Sequence, residues 1–177
     1  RSYSVTGVQT CALPIFDILL KAVRQVSDSG VAVVLVIVGG GDEEQKLRRL
    51  ISELCLEDRV KLSGRLQNCE VRMLYPLFDA FVLPSWKETF GIVYLEAMEA
   101  GLITVGVQGQ GIDGVIQHGK NGLLVPPCDV LALSEAILSI AKDAHDLCEL
   151  RKAAKATVEK GFMMDVMISK LRNIYEA

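Results

Sequence analysis

Residues 31–41 read Val-Ala-Val-Val-Leu-Val-Ile-Val-Gly-Gly-Gly. A β-branched run without a polar residue is typical of a strand buried on both faces, as in parallel sheets covered by helices. The apolar run of eight residues is about half the length that a helix needs to cross a bilayer. The stretch therefore predicts an inner strand of a parallel sheet that ends in a glycine loop.

Strands and helices alternate on both sides of this stretch, which predicts one doubly wound, parallel, Rossmann-like α/β domain. Ligands of such sheets bind beyond the carboxyl ends of the strands. Asp42 is the expected cap of the helix after the glycine loop. The predicted strands are Val31–Val38, Val60–Leu62, Ala80–Leu83, Leu102–Val107 and Leu123–Val125, and the predicted helices are Phe16–Val26, Glu43–Leu54, Glu70–Tyr75, Thr89–Glu99 and Asp129–Ala141, followed by two more helical stretches.

The segment 84–97 carries the strongest signal for a site: a strand ends, a polar loop follows, and a helix opens with Gly91 in its first turn. Backbone N–H groups and the positive end of the helix dipole favour an anion at such a helix start. Glu96 lies about 10 Å along the axis from Thr89, at about 1.5 Å per residue. A nucleoside diphosphate would span that gap, with its phosphates at the helix start and its ribose on the carboxylate.

Glu88 and Glu96 are separated by seven residues, and this segment resembles the E-x7-E motif of the retaining GT-B glycosyltransferases of family 4. Two glutamates at this spacing are common by chance, whereas this segment together with three others that resemble the family, all in the family's order, is a specific signal. The chain is therefore similar to the nucleotide-sugar-binding C-terminal half of a GT-B enzyme from about Phe16 to its end. The other three segments are Val36–Gly41, Leu56–Gly64 and Lys120–Pro127 with Asp129.

The resemblance implies a role for each matching residue. Glu88 would be the catalytic residue, holding the transferring sugar and supporting charge at its reacting carbon, and Glu96 would bind the ribose. Backbone N–H groups at the helix start would bind the sugar hydroxyls and the diphosphate, while the loop after the Val60 strand would border the base. The implied substrate-binding residues besides Glu96 are Thr89, Phe90, Gly91 and Ile92 at the helix start and Gly64, Arg65 and Leu66 in the loop.

The function implied by the resemblance is transfer of a hexose-type residue, with retention, from a UDP- or GDP-sugar to a glycan or lipid-linked acceptor. Members generally work without a metal or other cofactor, and their N-terminal domain, which this chain lacks, selects the acceptor. Gly109–Asp113 departs from the family, which usually has a glycine-rich loop followed by a glutamate near Gly114, and resembles a subgroup that makes capsule or cell-wall polysaccharide. The expected location is the cytoplasm, with the full enzyme peripherally associated with the inner face of the membrane.

Residues 1–15 depart from the family pattern, which places a diphosphate-gripping arginine and lysine before the first helix. Ser4–Ile15 contains neither residue type and resembles translated sequencing-adaptor read-through. We therefore expect residues 1–15 to be a non-native leader and residues 16–177 to be the domain. On this interpretation the first strand and the diphosphate clamp are missing, so the chain alone should bind the donor poorly and should be inactive.

Composition excludes several other classes of protein. The 177 residues suit one domain, and a net charge of −3 argues against nucleic acid as a partner. The five cysteines never form C-x-x-C, so neither structural zinc nor a disulfide framework is expected. The functions that compete with the glycosyltransferase interpretation are those of a GT-B-type nucleotide-sugar epimerase, a phosphorylase, a non-catalytic nucleotide-sugar-binding or partner subunit, and a flavodoxin-like regulatory domain.

Overall fold

A computed structural model describes residues 3–8, 13–86, 91–142 and 147–175. Within these ranges the chain forms six strands, seven α-helices and one 3-10 turn, Tyr75–Leu77. The strands are β1 Tyr3–Val8, β2 Val33–Val38, β3 Val60–Gly64, β4 Ala80–Val82, β5 Ile103–Val107 and β6 Leu123–Val125. The helices are α1 Leu13–Asp28, α2 Glu44–Glu53, α3 Asn68–Leu74, α4 Ile92–Glu99, α5 Val130–Lys142, α6 Leu147–Gly161 and α7 Met164–Tyr175.

The strands form one parallel sheet in the order β3-β2-β1-β4-β5-β6. Successive residues near β4 belong to different cores, because Ala80 and Val82 join one apolar cluster and Phe81 and Leu83 join the other. Side chains alternate across a strand, so helices cover both faces of the sheet. The predicted doubly wound α/β fold is confirmed.

Each face of the sheet has its own set of helices. The first core contains Leu19, Leu20 and Val23 of α1, Leu47 and Ile51 of α2, and Leu133 and Ile137 of α5. The second contains Tyr94, Ala97 and Met98 of α4 with Ala154 and Val158 of α6. Every residue of β4 and β5 is buried, which explains why neither strand contains a charged residue.

The N-terminal segment differs from the expectation that the first strand is missing. Residues 3–8 form β1 between β2 and β4, pairing from Tyr3 with Val33 to Val8 with Val38. Parallel pairing uses backbone N–H and C=O groups, and the tyrosine, valines and threonine of this segment favour extended structure. α1 also begins at Leu13, three residues before the predicted start. That residues 1–15 are non-native stays a prediction.

None of the helices in the described part of the chain combines the length and the apolar character that crossing a bilayer requires. Cys55, Cys69, Cys128 and Cys148 are free and exposed. The fifth cysteine, Cys11, lies outside the described residues.

Candidate functional site

The loops that follow β2 and β3 lie side by side at the carboxyl edge of the sheet. The Gly39 N–H donates to the Gly64 carbonyl at 2.9 Å. The Arg65 Nε donates to the Gly40 carbonyl at 3.2 Å. These two bonds join the glycine loop to the segment that the sequence predicts to border the base.

Two glycines make this close approach of the loops possible. Gly64 has a φ of +70°, a conformation that side-chain-bearing residues rarely adopt. A Cβ on Gly40 would lie 3.3 Å from the Arg65 Cγ, a tight contact that Arg65 would have to relieve by a small shift. Arg65 is exposed and Leu66 is half-buried. The predicted base-binding residues thus form a border made largely of main chain, and their ligand stays a prediction.

The helix start after β4 contains Gly91 and Ile92. Gly91 precedes α4 with φ 69° and ψ 66°, the left-handed region that favours glycine. Ile92 begins α4 and is 66% exposed. The predicted site residues Glu88, Thr89 and Phe90 lie outside the described residues, so their roles stay predictions.

Glu96 lies in the second turn of α4 and is half-buried. The Asn68 Nδ2 donates to its Oε1 at 3.4 Å, linking α4 to α3, which directly follows the predicted base-binding loop. A second link is the Arg72–Glu99 ion pair at 2.9 Å. The structure therefore brings the Glu96 carboxylate next to the helix that leaves the Gly64–Leu66 segment.

Asn68 is one of two residues near Glu96 that the sequence did not single out. The other is Tyr75, which is 2% exposed. Burial and then the nearby Glu96 charge raise the pKa of Tyr75 above its usual range. A capping box, in which Gln67 and Glu70 each bond the other's backbone, fixes the start of α3. Glutamine is not among the usual capping residues Ser, Thr, Asp and Asn, so the sequence carries no clear signal for this start, and no local pattern places α3 against Glu96.

Other residues near the strand ends have structural contacts. Trp86 is half-buried against the first core. The Gly109 N–H donates to the Asp113 Oδ2 at 2.6 Å, and the Leu124 N–H donates to the His118 Nδ1 at 3.0 Å. Both polar side chains hold turns, so we assign neither a role in catalysis.

The described residues contain no group of three or more His, Cys, Asp or Glu side chains that could hold a metal ion. The expectation that the reaction needs neither a metal nor another cofactor stays a prediction.

Sequence comparison relates most of the chain to one family. The family profile described as "Glycosyl transferases group 1" matches residues 16–160. N-acetyl-alpha-D-glucosaminyl L-malate synthase of Bacillus anthracis is 33% identical over 80% of this chain and 36% of that protein. Amylovoran biosynthesis glycosyltransferase AmsK of Erwinia amylovora is 31% identical over 90% of this chain and 40% of that protein.

A third relative is the GDP-mannose-dependent monoacylated alpha-(1-6)-phosphatidylinositol monomannoside mannosyltransferase of Corynebacterium glutamicum. It is 31% identical over 91% of this chain and 43% of its own length. The chain thus spans less than half the length of each of these three relatives.

Solved structures share the fold. Sucrose-phosphate synthase of Thermosynechococcus elongatus superposes with a TM-score of 0.86 at 26% identity, over 99% of this chain and 45% of that one. Anabaena HepE in complex with UDP-glucose gives 0.85 at 22% identity, over 100% of this chain and 50% of its own. The C-terminal domain of the group 1 protein LpcC from Francisella tularensis gives 0.82 at 16%, over 92% of this chain and 87% of that domain. The last two likenesses show the fold alone.

Proposed function

The chain belongs to the group 1 glycosyl transferases and matches the C-terminal half of their GT-B fold, and on that premise we propose that it binds the sugar donor of a retaining hexosyltransferase. The observation that carries the proposal is the position of Glu96. Its half-buried carboxylate lies on α4 and accepts a bond from Asn68, just after the Gly64–Leu66 loop. A nucleoside between loop and helix would present its ribose diol to this carboxylate.

The other proposed contacts are with the base at one end of the donor and with the diphosphate and sugar at the other end. Gly64, Arg65 and Leu66 border the base, largely through main chain. The start of α4, with Gly91 and Ile92, receives the diphosphate and the sugar hydroxyls, together with Thr89 and Phe90. The positive end of a helix dipole favours such an anion.

The chemistry requires the bond between the anomeric carbon and the diphosphate oxygen to break. The acceptor hydroxyl attacks from the same face within an ion-pair-like state, and its proton leaves with the diphosphate. Preorganised donors in a dry cleft stabilise the developing negative charge of the leaving group. Glu88 supports the positive charge that develops at the anomeric carbon. The donor is a UDP- or GDP-sugar, and no metal takes part.

The acceptor is selected by the N-terminal domain of the full enzyme, as the sequence resemblance implies. The names of relatives of similar identity refer to N-acetyl-alpha-D-glucosaminyl L-malate, to amylovoran and to phosphatidylinositol monomannoside, so likeness in this half does not specify an acceptor. The amylovoran relative supports a glycan or lipid-linked acceptor in cell-surface polysaccharide synthesis. The full enzyme would work in the cytoplasm, at the inner face of the membrane.

Calorimetry of the 177-residue chain with UDP and with GDP, at nucleotide concentrations high enough to detect weak binding, tests the proposal. We expect Glu96→Ala to weaken binding of the preferred nucleotide by about tenfold or more, because hydrogen bonds to a charged group contribute about 1.5–3 kcal/mol. Glu99→Ala is the matched control, since it removes a carboxylate from the same helix that pairs with Arg72 instead. In the intact enzyme, Glu88→Ala should lower kcat more than donor affinity.

Two results would contradict the proposal. One is equal affinity in the unaltered chain and in Glu96→Ala. The other is the absence of binding of either nucleotide to the unaltered chain, which would favour a subunit that only contacts a partner protein.

A further inference from the structure

The Tyr75 hydroxyl is an exception to the pairing of buried polar groups. Tyr75 is 2% exposed, and its Oη is one of two buried side-chain polar atoms in the described part of the chain without a hydrogen-bond partner. The other is the Thr104 Oγ1 on β5. Burying an unpaired hydroxyl is costly, so its retention needs an explanation.

Glu96 is the carboxylate that acts on this hydroxyl. Burial first, and then the Glu96 carboxylate, raise the pKa of Tyr75 above its usual range, while the Arg72 guanidinium acts in the opposite direction. Tyr75 therefore stays a neutral phenol that can donate a proton in a hydrogen bond. The carboxylate can accept several bonds, since its two oxygens offer about four lone-pair sites.

The same segment supplies a second donor to Glu96. Asn68 begins α3, Arg72 follows four residues later, and Tyr75 opens the 3-10 turn directly after α3. Spacings of four and seven residues place side chains on one helix face. Asn68 donates to Glu96 at 3.4 Å, and Arg72 pairs with Glu99 at 2.9 Å. One face of this segment is thus directed at the acidic residues of α4.

We propose that Tyr75 is a positioning residue for Glu96: when the donor binds, the unpaired hydroxyl donates to the Glu96 carboxylate, and with Asn68 it holds that carboxylate toward the ribose diol of the donor. This inference rests on the proposed function. Asn68 and Tyr75 donate to some of the lone-pair sites of the Glu96 carboxylate, and the remaining sites are left to accept from the 2′- and 3′-hydroxyls of the ribose. The Asn68 bond already restricts the carboxylate before the donor arrives, which lowers the conformational freedom lost on binding.

The test compares Tyr75→Phe with the unaltered chain by calorimetry. The ligands are UDP or GDP, whichever the unaltered chain binds, and the 2′,3′-dideoxy analogue of the same nucleotide. We expect Tyr75→Phe to weaken binding of the ribonucleotide by about tenfold and to leave the dideoxy analogue unchanged. Thr104→Val is the matched control, because it removes the other buried unpaired hydroxyl, and neither affinity should change.

Two further variants separate positioning from packing. Tyr75→Phe added to Glu96→Ala should have no additional effect on affinity, because the hydroxyl acts through the carboxylate. Asn68 is exposed, so Asn68→Ala should fold whether or not Tyr75→Phe does. Asn68→Ala should weaken binding of the ribonucleotide less than Tyr75→Phe does, and it should likewise leave binding of the dideoxy analogue unchanged.

The inference is overturned if Tyr75→Phe weakens both ligands equally, which indicates a packing role, or if neither Tyr75→Phe nor Asn68→Ala changes ribonucleotide affinity while Glu96→Ala does. That second pattern leaves the proposed function intact. Absence of nucleotide binding by the unaltered chain would instead contradict the proposed function, and this inference with it.

Discussion

Tyr94 fixes the point at which the chain leaves β4 toward the candidate site. Its hydroxyl donates to the Leu83 carbonyl at 2.5 Å. Its ring packs edge-to-face on Phe81, with centroids 5.5 Å apart and planes at 84°. Leu83 directly follows β4, and the predicted sugar-binding loop comes next. This one hydrogen bond therefore joins the end of β4, where the loop begins, to α4, where the loop ends.

Tyr94→Phe should remove this link while keeping the ring. We expect the free energy of unfolding to fall by about 1 kcal/mol, the usual contribution of one hydrogen bond, and nucleotide affinity to fall because the loop is less well held. Chemical denaturation and calorimetry measure the two effects. Phe81→Leu is the control, since it loosens the same packing without removing the hydroxyl. Equal losses of affinity in both variants would contradict the idea that the hydroxyl positions the loop.

At the scale of elements, Asn121 joins the turn before β6 to α6. Its Oδ1 accepts from the Gln117 N–H at 2.7 Å, and its Nδ2 donates to the Val115 carbonyl at 2.9 Å. The same Nδ2 donates to the Thr157 Oγ1 on α6 at 3.0 Å. Gly122 lets the turn approach β5, because a Cβ there would lie 2.9 Å from the Thr104 carbonyl oxygen. A turn and a helix are thus locked together by one buried amide.

Asn121→Ala should lower the free energy of unfolding by about 2–3 kcal/mol, since a buried side chain with several hydrogen bonds is lost and its partners are left unpaired. Thr157→Val removes one of these bonds and should cost less. Urea denaturation measures both changes, and hydrogen exchange at the Gln117 amide should speed up in Asn121→Ala. A change of less than about 0.5 kcal/mol, as at ordinary surface sites, would show that the turn is held by other contacts.

Strands that form long runs without a charged residue could be predicted, and contacts between elements could not. The apolar sequences of β2 and β5 identify strands without knowledge of their neighbours, and the Gly101 end of α4 follows from local conformation, with φ at +81°. The predicted start of α2 is wrong by one residue: Glu43, not Asp42, precedes the helix, and no side-chain hydrogen bond caps it. Helix ends depend on small differences among polar residues. The Asn68–Glu96 contact spans 28 residues, which no periodic pattern encodes.

At the scale of the whole molecule, β1 is the strand that joins the two halves of the sheet. β2 and β3 lie on one side of it, and β4, β5 and β6 lie on the other. The deepest crevice of such sheets forms where strand order reverses, here between β1 and β4. The glycine loop after β2 and the helix start after β4 therefore flank the carboxyl end of β1. Sequencing the DNA upstream of the Phe16 codon would test the prediction that residues 1–15 are non-native.

Removal of residues 1–12 tests what β1 contributes, whatever its origin. Without it, β2 loses six paired positions and β4 loses two. We expect loss of cooperative thermal unfolding, because domains of this size are stable by only about 5–15 kcal/mol. A control chain with residues 3–8 in shuffled order should retain cooperative unfolding, because backbone groups supply the pairing. If the shortened chain instead unfolds at an unchanged midpoint, then the sheet forms without this segment, as expected of a leader that is foreign to the domain.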